Sequence, residues 1–264
     1  ETPDSFEFSG DDSILVNGVL KFFDVDGPGN DTVIFQGSSD DDELRIDFSG
    51  GTLPENIQFI GFGQATGDRL DLFGSTVTSV VHNFLNANDG NVDVDGLIID
   101  YVGLEPITDM LLATHRVFNF GSGNDNIIFD DGGDGDDGIS RLSSVGSSET
   151  VEFANPTGDL TINSAGGNDT ISLNSPDSMF SVPLTANAGD GDDVINVTPT
   201  TNFAITVNGD GQVSADTMNV NALGNPAMIV GSTVQVTGFN TINFSGIEVP
   251  NLLNVPATID DQTF

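Results

Sequence analysis

Gly189-Asp190-Gly191-Asp192-Asp193-Val194-Ile195-Asn196-Val197 joins two signals in nine residues. Its glycines admit positive φ, and its short acidic side chains bond their own local backbone, which makes the first half a turn. Its second half alternates apolar and polar residues with the period of a strand. The phrase returns as Gly27-Pro28-Gly29-Asn30-Asp31-Thr32-Val33-Ile34-Phe35, as Gly121-Ser122-Gly123-Asn124-Asp125-Asn126-Ile127-Ile128-Phe129 and as Gly166-Gly167-Asn168-Asp169-Thr170-Ile171-Ser172-Leu173. In every copy an Asp closes the turn and opens the strand.

The spacing of these marks decides the fold class. Asp125, Glu149, Asp169, Asp193, Asp216 and Asn240 follow one another at 20–24 residues, and each opens a short alternating strand. A coil of that length holding two or three strands is the unit of an all-β parallel β-helix or solenoid, in which inward side chains stack on their equivalents. A wholly antiparallel β-sandwich is the alternative, and Asn17-Gly18 and Asp95-Gly96 between apolar runs are hairpin signals. A longer repeat relates the two halves. Gly63–Leu72 aligns with Gly211–Val220, Val92–Leu97 with Val234–Phe239, and Ile99–Glu105 with Ile242–Glu248. We divide the chain into a first repeat unit with an N-terminal hairpin or cap (1–106), a connector (107–119) and a second unit (120–264), forming one rod. The one helix expected is Ile107–His115.

The chain has 264 residues, with 33 Asp and 8 Glu against 5 Lys or Arg, and a formal net charge of -36. Low hydrophobicity would accompany such charge in a disordered chain. Here 37% of residues are apolar, among them 19 Phe in alternating runs, so the charge belongs to turns around an apolar core. The excess of Asp over Glu fits turns and metal ligation. Two carboxylates stacked at the ~4.8 Å strand spacing repel by roughly 0.9 kcal/mol even at bulk dielectric, so folding is expected to need divalent cations or high salt. Negative charge disfavours nucleic acid and anionic membranes, and no apolar run is long enough to cross a bilayer as a helix.

Carboxylates and turn carbonyls are hard oxygen donors, and calcium accepts six to eight of them in flexible geometry. The expected Ca2+ ligands are Gly29, Asn30 and Asp31, Gly123, Asn124 and Asp125, Asn168 and Asp169, Asp190, Asp192 and Asp193, then Asp210 and Asp216. Asp134 and Asp136 join them from the acidic loop Asp130–Gly138. The phrases resemble the haemolysin-type, RTX-like calcium-binding repeat, Gly-Gly-x-Gly-x-Asp followed by x-apolar-x, although they lie 20 residues or more apart. The endings Tyr101-Val102-Gly103-Leu104-Glu105 and Phe244-Ser245-Gly246-Ile247-Glu248 are similar to those of very large bacterial secreted surface proteins. The resemblance implies a secreted, calcium-stabilised, repetitive architecture and no particular activity.

The expected function is therefore a non-enzymatic extracellular structural module or subunit of a cell-surface assembly. Terminal segments Ser5–Phe8 and Ala257–Asp260 would pair head to tail with further copies, or the chain would join neighbouring modules of a larger protein. The alternatives are a calcium-dependent adhesin that binds acidic polysaccharide, and a β-helix polysaccharide lyase, epimerase or glycosidase. The enzyme reading is the weaker. His82 and His115 are isolated, Lys21, Arg45, Arg69, Arg116 and Arg141 are scattered, and no nucleophile or phosphate-loop motif is present.

Overall fold

The computed structural model describes residues 5–9, 13–16, 19–22, 32–51, 53, 56–61, 67–133 and 135–256. The protein is all-β, with two long and mostly parallel sheets, an arrangement compatible with a β-helix. Parallel pairing runs the length of both, which excludes a wholly antiparallel sandwich. One short 3-10 turn at Phe48–Gly50 is the helical element among the described residues.

The chain passes back and forth between the sheets. Sheet one begins with β1 (Ser5–Ser9), β2 (Ser13–Val16) and β3 (Val19–Phe22), and sheet two with β4 (Thr32–Gln36). β5 (Glu43–Asp47) lies in sheet one, β6 (Asn56–Ile60) in sheet two and β7 (Asp68–Phe73) in sheet one. β8 (Thr76–Phe84), β9 (Asp89–Val94) and β10 (Leu97–Val102) form an antiparallel triplet in sheet two. β11 (Leu104–Asp109) returns to sheet one and β12 (Leu112–Asn119) to sheet two. β13 (Asn126–Asp130), β14 (Ile139–Ser144) and β15 (Val151–Ala154) make a second such triplet in sheet one. Single strands then alternate: β16 (Asp159–Asn163), β17 (Thr170–Leu173), β18 (Leu184–Asn187), β19 (Val194–Val197), β20 (Ile205–Asn208) and β21 (Thr217–Asn221). The last triplet, β22 (Ala227–Val230), β23 (Thr233–Val236) and β24 (Ile242–Ser245), lies in sheet two, and β25 (Val249–Leu253) closes sheet one.

Period-two alternation sets which side chains face inward. Leu160 and Ile162, Leu184 and Ala186, Ile205 and Val207 are buried on three successive strands in register. Phenyl rings meet in the core: Phe118 of β12 with Phe153 of β15 at 5.1 Å across the two sheets, Phe129 of β13 with Phe180 of the β17–β18 loop at 5.4 Å, and Phe180 with Phe203 of the β19–β20 loop at 4.8 Å. Such ring contacts each add about 0.5–1.5 kcal/mol beyond area burial.

Segments that align in sequence take equivalent places. β7 and β21 precede antiparallel triplets, and the final strand of each triplet, β10 or β24, pairs in parallel with β6 or β20. β11 and β25 then pair in parallel with β7 and β21. The Asp95-Gly96 hairpin turn has positive φ at both residues, 51° and 96°, as a tight two-residue turn requires. β2 and β3 pair antiparallel with Val16 opposite Val19, while Asn17-Gly18 itself lies outside the described residues.

Two expectations are corrected. Ile107–His115 is not a helix: it supplies the end of β11 and the start of β12. Ile107, Asp109, Leu111 and Ala113 are buried in strict alternation, so the core imposes a period of two where the local composition allowed a helix. Ser5–Phe8 is not free to pair with another molecule, because β1 already has β2 on one side and β5 on the other. Ala257–Asp260 lies outside the described residues.

Candidate functional site

The turn that enters sheet one explains why Asn-Asp recurs. Asp125, Asp169, Asp193 and Asp216 are buried, and they link one pass of the chain to the next. The Asp125 amide donates to Asp169 Oδ1 at 2.8 Å, the Asp169 amide to Asp193 Oδ1 at 2.7 Å, and the Asp193 amide to Asp216 Oδ1 at 2.9 Å. The Asp216 amide ends the run on Glu248 Oε2 at 3.0 Å. Each carboxylate thus stands where a ladder carbonyl is missing at the corner. Asp42 and Asp68 make the same link in the first half at 2.7 Å.

The residue before Asp125, Asp169 and Asp193 bonds in the opposite direction, whereas Asp216 is preceded by Ala215. Asn124 Oδ1 accepts from the Asn168 amide at 2.7 Å, Asn168 Oδ1 from the Asp192 amide at 3.0 Å, and Asp192 Oδ1 from the Val213 amide at 3.0 Å. The Asn-Asp pair therefore clamps its turn to both neighbours. Glycine is required beside it: a Cβ on Gly191, at φ 147°, would fall 1.6 Å from the Gly167 carbonyl oxygen.

This arrangement uses one oxygen of Asp169, Asp193 and Asp216, while Asp125 enters the run through its amide. Oδ2 of Asp125, Asp169, Asp193 and Asp216 is buried and unpaired. Burial raises the pKa of all four carboxyls. For Asp193 the burial outweighs the Asp169 amide bond, and the charges of Asp169, Asp216 and Asp192 add to it, pushing the carboxyl up to about 6. Glu149 is a separate case. It is wholly buried with both carboxylate oxygens unpaired, and burial, then the charges of Glu105 and Asp89, push it up to about 9.

The expected ligands divide accordingly. Asp125, Asp169, Asp193 and Asp216 fall in one column, with Asn124, Asn168 and Asp192 in the turn layer outside it. Asp190 is exposed and joins the turns through its backbone, its amide donating to the Ala165 carbonyl at 2.9 Å. Gly123, Asp136 and Asp210 are exposed. Gly29, Asn30, Asp31 and Asp134 lie outside the described residues. Among the described residues no group of three or more His, Cys, Asp or Glu side chains converges as a preformed metal cage. The column instead offers single carboxylate oxygens in succession.

Two marks of the sequence ladder lie elsewhere. Glu149 precedes β15 in the antiparallel triplet, and Asn240 precedes β24 in sheet two, where its Nδ2 donates to the Phe203 carbonyl at 2.9 Å. Neither joins the Asp column.

A second ladder was not anticipated. Asn119, Asn163, Asn187 and Asn208 each donate Nδ2 to Oδ1 of the preceding member, beginning at Asn83, at 2.7 Å. Its signal is in the sequence, as apolar-Thr-apolar-Asn at the end of β16, β18 and β20. The basic residues are also less scattered than they read. Arg45 and Arg69 share one face of sheet one with Glu7, Glu43 and Asp71. Arg116, His82 and Asp109 meet inside the core, with His82 Nε2 2.9 Å from Asp109 Oδ2 and Arg116 bonded to the same oxygen. Burial drives the Asp109 pKa upward, but Arg116 and His82 overcome it and hold the carboxyl down at about 2. All three side chains are sealed from solvent. Comparisons with protein-family models, curated protein sequences and solved structures found no significant match.

Proposed function

We propose that the chain is a structural β-solenoid, a secreted, non-enzymatic rod whose acidic corner is neutralised by calcium. The observation that carries this reading is the column of buried carboxylates, each with one oxygen lacking a donor. At neutral pH such oxygens are costly unless a proton or a cation reaches them. Hard oxygen donors favour calcium, and magnesium demands a stricter octahedron. The residues that would hold it are Asp125, Asp169, Asp193 and Asp216, with turn carbonyls and water as further donors. A bound cation supplies positive charge, while the chain supplies the clamp that keeps the carboxylates in a row.

Several features support a structural role. The side chains with the most elaborate hydrogen bonding, the Asp column and the Asn ladder, bond to neighbouring passes of the same chain. The one His-Asp-Arg constellation among the described residues is enclosed by Phe84, Phe118 and Phe153, where no substrate reaches it. An extracellular setting suits weak calcium sites, which fill at millimolar concentration. Calorimetric titration with calcium and with magnesium tests the proposal. We expect calcium uptake by several sites, reduced in number by Asp193→Asn and Asp216→Asn, with weaker magnesium uptake. No heat beyond dilution at millimolar calcium would reject it.

A further inference from the structure

The run of amide-to-carboxylate links is broken in the middle of sheet one. Asp42 and Asp68 link the entries of β5 and β7, and Asp125, Asp169, Asp193 and Asp216 link those of β13, β17, β19 and β21. Between these two runs the sheet order places β14, β15 and β11. Glu149, just before β15, and Glu105, in β11, stand at that gap. Each lies two residues before a paired residue, Val151 or Ile107, and the Ile107 amide donates to the Thr150 carbonyl at 3.0 Å. Glu149 is 0% exposed, and nothing donates to either of its oxygens. It is buried without taking part in the clamp.

Another acid and a phenol share this corner. The turn between β8 and β9 folds onto the start of β11. There Asn88 Nδ2 donates to Glu105 Oε1 at 3.1 Å, and the Asn88 carbonyl accepts from the Leu104 amide at 2.9 Å. Asp89 Oδ1 accepts from the Gly103 amide at 3.0 Å. Tyr101 on β10 lies opposite Gly90, and a Cβ on Gly90 would fall 2.5 Å from the Tyr101 hydroxyl, so glycine makes room for it beside Asp89. That hydroxyl is unpaired on a side chain only 1% exposed. Burial, then the charges of Glu149 and Asp89, raise the Tyr101 pKa, so the phenol and Glu149 share one electrostatic environment. The described Arg and His side chains are paired with other acids.

We propose that Glu149 anchors a calcium ion at this gap, with Glu105 as a second carboxylate and the Tyr101 hydroxyl as a neutral ligand. Glu149 supplies two oxygens that nothing in the chain engages. Glu105 is exposed and reaches the ion from the solvent side, while Asp89, held by the Gly103 amide, adds its charge. The three acids do not converge as a closed cage, so backbone oxygens and water complete the shell. Three acids without a base favour a divalent ion. An all-oxygen donor set lacking His and Cys disfavours zinc, and calcium tolerates irregular geometry that magnesium does not. The ion ties β15 to β11 where the amide-to-carboxylate link is missing. This site is separate from the four carboxylates of the proposed function and does not depend on calcium binding there.

The chain has one Tyr and no Trp, so Tyr101 reports on this site alone. Terbium replaces calcium on hard oxygen ligands, and its emission excited through tyrosine falls off steeply with distance. We expect saturable terbium emission excited through Tyr101 in the complete chain, displaced by calcium and not by equal magnesium. Glu149→Gln should abolish it. Glu105→Gln changes an exposed side chain and should weaken terbium binding by about tenfold or more. Joint Asp193→Asn and Asp216→Asn should leave the emission unchanged. Circular dichroism in high monovalent salt checks that each variant is folded; if Glu149→Gln is not, Glu105→Gln decides. Without metal, Glu149→Gln relieves a buried carboxylate, so its loss of binding is not a loss of stability. No sensitised emission from the parent would overturn the inference. So would emission unchanged in folded Glu149→Gln or in Glu105→Gln, or emission lost only through the Asp193 and Asp216 changes. An intact Tyr101 signal, with calcium uptake unaltered by Asp193→Asn and Asp216→Asn, would count against the proposed function alone.

Discussion

Replacing Asp193 by Asn separates the two tasks of the buried column. Asn keeps Oδ1, which accepts the Asp169 amide at 2.7 Å, and replaces the unpaired Oδ2 with a neutral group. The folded pKa of Asp193, about 6, lies above its ordinary value of 3.8. A raised folded pKa contributes stability that is present below the ordinary value and is lost as pH rises through the folded one. In chelator the parent protein should therefore be more stable near pH 4 than at pH 7.5. The shift corresponds to about 3 kcal/mol at ~1.4 kcal/mol per unit. The carboxyl lies just beneath a solvated turn, so we halve this for screening, to about 1.5 kcal/mol. Asp193→Asn should recover that amount at pH 7.5 in chelator, a rise in Tm of about 3–6 °C, and almost none near pH 4. Asp193→Ala also relieves the charge but leaves the Asp169 amide without its acceptor, at a cost of about 1–3 kcal/mol, so it should melt below the Asn variant at both pH values. Calcium should reverse the order of parent and Asn variant, because the variant has lost a cation ligand. Thermal unfolding by circular dichroism in the four conditions is the assay. If the Asn and Ala variants fall below the parent by the same amount in chelator at pH 7.5, buried charge is not the burden and the reasoning fails.

Two further outcomes follow from the other buried acids. Glu149→Gln should stabilise the protein by about 2 kcal/mol at pH 8 and by little at pH 4, where the parent carboxyl is protonated in both folded and unfolded states; urea unfolding at the two pH values checks this. Asp109 has the opposite sign. Its folded pKa, near 2, lies below the ordinary 3.8, so its contribution is complete above about pH 4 and fades as pH falls toward 2. Asp109→Ala should cost about 3–5 kcal/mol at pH 7 by leaving Arg116 buried and unpaired, whereas joint replacement of Asp109, His82 and Arg116 by apolar residues of similar volume should cost far less.

Much of the fold was legible because its signals are local. Each Gly-Asn-Asp phrase that lies in the described residues enters a strand of sheet one, and alternation in Leu160–Ile162 or Ile205–Val207 marks the inward face directly. The uniform step was partly misleading. The triplet β13–β15 occupies a length close to that of one pass, so Glu149 kept time with Asp125 and Asp169 while Asp125 bonds to Asp169 across 44 residues. Ile107–His115 read as a helix because nothing local fixes its period; the buried neighbours Leu70, Leu72 and Val151 do. The core trio was invisible for a related reason. His82 and Arg116 sit at inward positions of β8 and β12, and only the parallel pairing of those strands in sheet two and their packing against β11 of sheet one bring them together with Asp109. The candidate ligands were found as residue types, but their primary engagement with backbone amides of adjacent passes depends on register, which the turn motif alone does not encode.

The most direct test of the central claim is thermal unfolding of the unmodified chain at pH 7.5 in millimolar calcium, in equal magnesium, and in chelator at matched ionic strength. If the Asp column takes up calcium in the folded state, the melting temperature rises in calcium well above its value in magnesium or chelator. Coincident melting curves in all three would show that the buried carboxylates are held by the backbone clamp alone and that calcium has no part in the structure.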